Sequence, residues 1–184
     1  MTTTFTRAGA ALAAAGLLLG MLSACTPEPG PDPTKSPKPT KTAIFESDEE
    51  AFAAAEKTYR EYNDATNAEQ QGDKNADSNK YLVGSALEET IQARRDIEEL
   101  GYRLDGDITI QQVIPNLGSI RADRTQLELL ACLDLTTSRV LLESGEEADI
   151  PNRPDVIASR SQMTWVDDRY LISEQGEGDV EQCD

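Results

Sequence analysis

Leu127-Glu128-Leu129-Leu130-Ala131-Cys132-Leu133-Asp134-Leu135 is the stretch that decides the fold. Leu127, Leu129, Ala131, Leu133 and Leu135 recur at every second position, so an extended chain carries five apolar side chains on one face. Glu128, Leu130, Cys132 and Asp134 take the other face. The stretch reads as a β-strand with one side against a core.

Working outward, Arg139-Val140-Leu141-Leu142 reads as a short strand before an acidic turn from Glu143 to Asp149. Val156 to Val166 is long enough for a major strand. Its odd positions, Ile157, Ser159, Ser161, Met163 and Trp165, make an apolar face with small residues. Asp167-Asp168 is a turn into Tyr170-Leu171-Ile172, which predicts an antiparallel hairpin. Upstream, Ile108 to Ile114 reads as a strand stopped at Pro115-Asn116-Leu117-Gly118.

Before the strands the period changes to that of a helix. Ser47-Asp48-Glu49-Glu50 has the spacing of a capping box, a hydroxyl three residues ahead of a Glu that can return the hydrogen bond. Phe52, Ala55, Tyr59, Tyr62 and Thr66 then share one helical face, and the helix ends near Gln71-Gly72. Ser85-Ala86-Leu87-Glu88 has the same spacing and predicts a second helix running to Leu100 and stopping at Gly101. Val83, Leu87, Ile91 and Ile97 form its apolar stripe. Arg94 sits near the middle of that stripe, either snorkelling at the core edge or projecting into a cavity. Helices first, then long antiparallel strands, make an α+β architecture with helices packed on one sheet.

The chain of 184 residues holds 34 Asp and Glu against 17 Lys and Arg, a formal net charge of −17, and no histidine. Such a charge repels nucleic acid phosphates and anionic lipid headgroups, so no nucleic-acid partner is expected. Without histidine, triads with a His base and most transition-metal sites are excluded; no metal and no cofactor is expected.

Arg7 is the only charge before residue 28, and an apolar run from Ala8 to Leu22 follows it, as in the n-region and h-region of an export signal. The run is short for a bilayer span, which needs about 20 residues. Leu22-Ser23-Ala24-Cys25 resembles the lipobox of bacterial lipoproteins, in which the cysteine receives a diacylglyceryl thioether. That resemblance implies a signal peptide over residues 1–24, lipidation of Cys25, and a protein held by acyl chains such as palmitate on the extracytoplasmic face of the cell membrane. Pro27, Pro29, Pro31, Pro33, Pro37 and Pro39 break any regular ladder, so residues 25–46 read as a tether ahead of a domain spanning 47–184.

With Cys25 acylated, Cys132 and Cys183 remain as an even pair in an oxidising compartment, and a disulfide is the natural assignment. A redox or metal pair would want a closer spacing than these two have.

The order of helix, short helix, helix and curved sheet resembles the nuclear transport factor 2-like (SnoaL-like) superfamily. The Ala-Cys-Leu-Asp run at 131–134 and a tight last hairpin around Trp165 add to the likeness. More narrowly, the chain resembles lipid-anchored members common in actinobacteria. The resemblance implies a cone-like sheet whose mouth binds a small apolar ligand, performs chemistry or docks a partner. It makes Asp134 a candidate base, Tyr59 or Tyr62 a candidate donor, Arg94 an orienting charge, and Met163 and Trp165 candidate pocket linings. The leading expectation is a non-catalytic lipoprotein binding a small ligand or an envelope protein. A carboxylate-based isomerase, dehydratase or hydrolase of the same fold, and a phage- or plasmid-type exclusion protein at the cell surface, are the alternatives.

Overall fold

A computed structural model of the chain describes residues 43–183. The expected export signal, Cys25 as the expected lipidation point, and nearly all of the expected tether lie outside the described residues. The architecture is α+β: two helices, a four-stranded antiparallel sheet and a two-stranded sheet. Among the described residues no helix is long and apolar enough to cross a membrane.

Helix α1 spans Asp48–Gln70. Ser47 caps it, its Oγ accepting the Glu50 N–H at 3.1 Å, while the Glu50 carboxylate reaches back to accept the Glu46 N–H at 2.8 Å. The buried positions Ala51, Ala55, Thr58 and Tyr59 recur at helical spacing, so one stripe of α1 faces the sheet. Helix α2, Ser85–Glu99, ends where Leu100 gives way to Gly101 at φ +70.

The expected capping box at the start of α2 is not formed. Gly84 occupies the cap position without a side-chain hydrogen bond, and the Ser85 hydroxyl instead donates to the Ser173 carbonyl at 3.3 Å. Ser173 is the extra residue of a bulge. Gln162 pairs with Glu174 and Met163 with Ile172, leaving Ser173 out of the ladder with its carbonyl available to the helix.

The strands are β1 (Tyr102–Asp105), β2 (Thr109–Asn116), β3 (Gln126–Asp134), β4 (Arg139–Leu142), β5 (Val156–Val166) and β6 (Arg169–Glu177). The main sheet runs β2-β3-β5-β6, and β1 pairs with β4 apart from it. β2 passes through Pro115, which pairs with Leu129, rather than stopping before it. The reason is position: β2 is an edge strand, so the missing N–H of Pro115 leaves no partner unsatisfied. The β5–β6 hairpin turns on Asp167 and Asp168, both at positive φ, as a two-residue turn between right-twisted strands requires.

One core results. Leu127, Leu129, Ala131 and Leu133 of β3 lie with Met163, Tyr170 and Ile172 against Ala51, Ala55 and Tyr59 of α1 and Ala86 of α2. Full burial of each large apolar side chain contributes about 1.5–3 kcal/mol. The opposite face of β3 is covered as well, since Leu130 and Cys132 are also buried. The segment after β6 supplies that cover, and a Cβ placed on Gly178 would come 2.2 Å from Leu130 Cδ1 and 3.1 Å from the Ala158 Cβ. Cys183 follows and is joined to Cys132, with 5.6 Å between their Cα atoms.

Candidate functional site

The register of the sheet puts the helix-facing side chains in rows. Leu127, Met163 and Ile172 make one row, and Leu129, Ser161 and Gln175 the next. Small residues at Ser159 and Ser161 leave room above the sheet, and Tyr59 of α1 occupies it at 2% exposure. Burial pushes the Tyr59 phenol up to about 12, with the nearby hydroxyls of Ser159 and Ser161 offsetting part of the rise. Ser161 is itself fully buried. Met163 is at 0% exposure, a core residue that fills the interior.

Tyr62 lies one turn further along α1 at the margin of this interior. Its hydroxyl points to Gln175 Oε1 at 3.5 Å, and burial raises its pKa while the charge of Arg94 pulls the other way. Arg94 faces Glu69, at 2.9 Å, and donates to Asn79 Oδ1 at 3.2 Å and to the Ser78 hydroxyl. Ser78 in turn donates its N–H and hydroxyl to the Glu69 carboxylate. Arg94 thus braces α2 against the turn after α1, with its charge spent on a carboxylate.

Asp134 stands at the far end of β3. Its carboxylate accepts from the Thr136 N–H at 2.8 Å, the Thr136 hydroxyl at 2.6 Å and Gln111 Nε2 at 3.2 Å. These bonds to Thr136 hold its pKa below the usual carboxylate value. A general base gains from the opposite shift. Asp134 here organises a turn.

Trp165 belongs to a different group. Its ring meets Phe45 edge-on at 4.9 Å and Tyr170 edge-on at 5.2 Å, and Phe45 stacks on Tyr170 at 5.6 Å. The structure therefore buries Tyr59 and Met163 in one core, packs Tyr62 and Trp165 against it, places Arg94 at its margin in an ion pair, and sets Asp134 apart from it.

Two features had no part in the reading of the sequence. The first is an open groove of about 520 Å³ between α1 and the start of β2. Its asparagines are tied to the backbone of Ile108: Asn63 and Asn67 donate to the Ile108 carbonyl at 2.8 and 3.0 Å, and Asn67 Oδ1 accepts the Ile108 N–H at 3.0 Å. The amides at Asn63, Asn67 and Gln71, four residues apart, were the available signal. The second is Arg124, at φ +54, which binds Asp48 and the Phe45 carbonyl. No local pattern announces it. Among the described residues no cluster of acidic or cysteine side chains is arranged to hold a metal ion.

No protein-family model matches the chain, and no curated protein matches it. Among solved structures, the crystal structure of the intermembrane space region of the chloroplast protein ARC6 is similar at 17% identity, over 68% of this chain and 94% of that one, with a TM-score of 0.49. Nothing about the activity of this chain follows from a likeness at that level.

Proposed function

We propose that the protein is a lipoprotein anchored through Cys25 on the extracytoplasmic side of a membrane. In this reading its nuclear transport factor 2-like domain is non-catalytic and holds an envelope partner on its surface. The lipobox-like Leu22-Ser23-Ala24-Cys25 and the Pro-rich segment after it support the anchor and tether. The order of two helices followed by strands, with α1 across the apolar face of the sheet, supports the cone-like reading of the domain.

The observation that favours partner docking over ligand capture is the filling of the interior. Tyr59 and Met163 occupy the space above Ser159 and Ser161 that a small apolar ligand would need, at 2% and 0% exposure. Asp134, the carboxylate that a catalytic reading would use, is engaged in a turn outside that interior. The test of the anchor is membrane fractionation of Cys25→Ser beside the natural protein. Release of the variant into the soluble fraction, or accumulation of an unprocessed precursor, is expected; retention on membranes at the processed mass would defeat the proposal.

A further inference from the structure

The end of α2, the start of β1 and the turn after β4 meet at one corner of the domain. Tyr102 pairs with Leu142 across the β1–β4 ladder, and a Cβ on Gly101 would lie 4.0 Å from the Cβ of Glu143. The Leu142 N–H donates to the Glu146 carbonyl at 2.8 Å and the Ala148 N–H to the Val140 carbonyl at 2.8 Å, which folds the turn back along the edge of β4 away from β1. Two apolar side chains are exposed here, Leu100 at 69% and Tyr102 at 38%.

Carboxylates stand before them in α2 and past them beyond β4. Glu98 and Glu99 close α2, and Glu143, Glu146 and Glu147 form the turn. Among the described residues none of these five is in an ion pair. The nearby Arg103 and Arg139 are both committed to Asp105, and Arg95, one turn back on α2, pairs with neither Glu98 nor Glu99.

Folding does not account for this corner. Acids in the last turn of a helix face its negative end, and α2 has no basic residue there to offset them. The residue two past a helix C-cap commonly packs back on the helix, whereas Tyr102 is 38% exposed here and the capping Leu100 stands in solvent. An exposed apolar pair beside unpaired like charges fits a surface meant to be covered.

Resting on the docking role proposed above, we infer that this corner is the docking surface, and that its partner is a cationic protein segment presenting an aliphatic or aromatic side chain between Lys or Arg residues. The charge selects that occupant. A second copy of this chain would bring the same acids against themselves, and anionic lipid or nucleic acid is repelled. Leu100 and Tyr102 take the apolar side chain, and the five carboxylates hold the cations and steer the approach.

The test uses the purified whole protein and fluorescently labelled synthetic peptides, read by anisotropy. One peptide alternates Lys with Leu, a second alternates Lys with Ser, and a third alternates Glu with Leu. The Lys-Leu peptide is expected to bind, and to bind about tenfold more weakly to the L100S/Y102S protein. Its affinity should fall with added salt, and that fall should flatten in the E143Q/E146Q/E147Q protein. Amide hydrogen exchange of the complex should show new protection at 100–102 and 141–147, a readout that needs no variant. Equal binding of the Lys-Ser peptide would reduce the corner to diffuse counterion attraction and overturn the proposal. So would indifference to L100S/Y102S, protection elsewhere, or a protein dimer that L100S/Y102S dissolves. The corner is present whether or not Cys25 is acylated, so a failure here is distinct from a failure of the membrane anchor.

Discussion

Arg124 and Asp48 lie 76 positions apart in the chain, and the guanidinium Nε of the first is 2.7 Å from a carboxylate oxygen of the second. Around this ion pair the start of the described chain is fastened to the sheet. Arg124 also donates to the Phe45 carbonyl at 3.2 Å, the Tyr170 hydroxyl donates to the Arg124 carbonyl at 2.6 Å, and the Phe45 ring sits against Trp165 and Tyr170. A tether joined to the domain just ahead of Phe45 would pull on this clasp before it pulled on α1.

Phe45→Ala should therefore loosen the clasp. The half-buried ring and its two aromatic partners are worth about 2 kcal/mol together. Trp165 is the only tryptophan in the chain, so its fluorescence reports the change directly. A shifted emission maximum and a lowered thermal midpoint are expected. Unchanged emission would mean that Phe45 does not rest on Trp165.

Removing the Cys132–Cys183 bond by Cys183→Ser should cost up to about 4 kcal/mol by the chain-entropy estimate for its 51-position separation. The structure adds a local consequence. The segment from Gly178 to Cys183 covers Leu130 and Ala158, so those residues should gain hydrogen exchange in the variant while α1 keeps its protection. Denaturant midpoints and exchange measured on both proteins check this; two free thiols in the natural protein would contradict it.

Gly106 has φ +83, and a Cβ there would stand 2.0 Å from the carbonyl oxygen of Thr137. Gly106→Ala combines an unfavourable backbone angle with a clash against main chain, so it should destabilise by more than the ~1 kcal/mol of the backbone term alone. Gly145→Ala is the control. It has a similar φ of +87 and nothing within 4 Å of the added atom, so it should show the backbone term only. Equal losses would show that the Thr137 approach is looser than drawn.

Alkaline pH should unfold the domain through its buried phenols. Tyr59 is held neutral, its pKa pushed from 10.0 up to about 12 by burial. The unfolded chain releases that proton first, so the contribution is complete below pH 10 and is lost as pH rises through the folded value. For Tyr59 the loss is on the order of 2–3 kcal/mol across that window. Tyr170, also raised to about 12 by desolvation, acts in the same direction. Tyr59→Phe should make the fall in stability between pH 10 and 12 visibly shallower in denaturant titrations; an identical slope would place Tyr59 in contact with solvent.

The sequence carried the parts of the fold whose cause is local. Alternation in 127–135 marks β3, the double Asp at 167–168 marks the hairpin, and Ser47 with Glu50 marks the start of α1, because each depends on neighbours within a few residues. Pro115 and Ser85 went otherwise for reasons set by partners far along the chain. Pro115 is tolerated because, among the described residues, no strand pairs with the outer edge of β2, and Ser85 turns to a carbonyl freed by a bulge in β6. The same holds for the site. Arg94 lies at the margin of the interior, as its place on the α2 stripe suggested, yet its ion pair with Glu69 spans two elements that no periodicity connects. The Arg124 clasp, and the approach of the turn after β4 to Gly101, are brought about by tertiary packing.

The central claim is that this domain hangs from a membrane by an acylated Cys25, and the most direct measurement is the mass of the N-terminal peptide of protein extracted from its own cell's membranes. The account predicts a peptide that begins at Cys25 and carries the added mass of a diacylglyceryl group, with or without a third acyl chain on its amine. A peptide that begins at Cys25 or elsewhere with no lipid attached, from protein that nevertheless fractionates with the membrane, would contradict it.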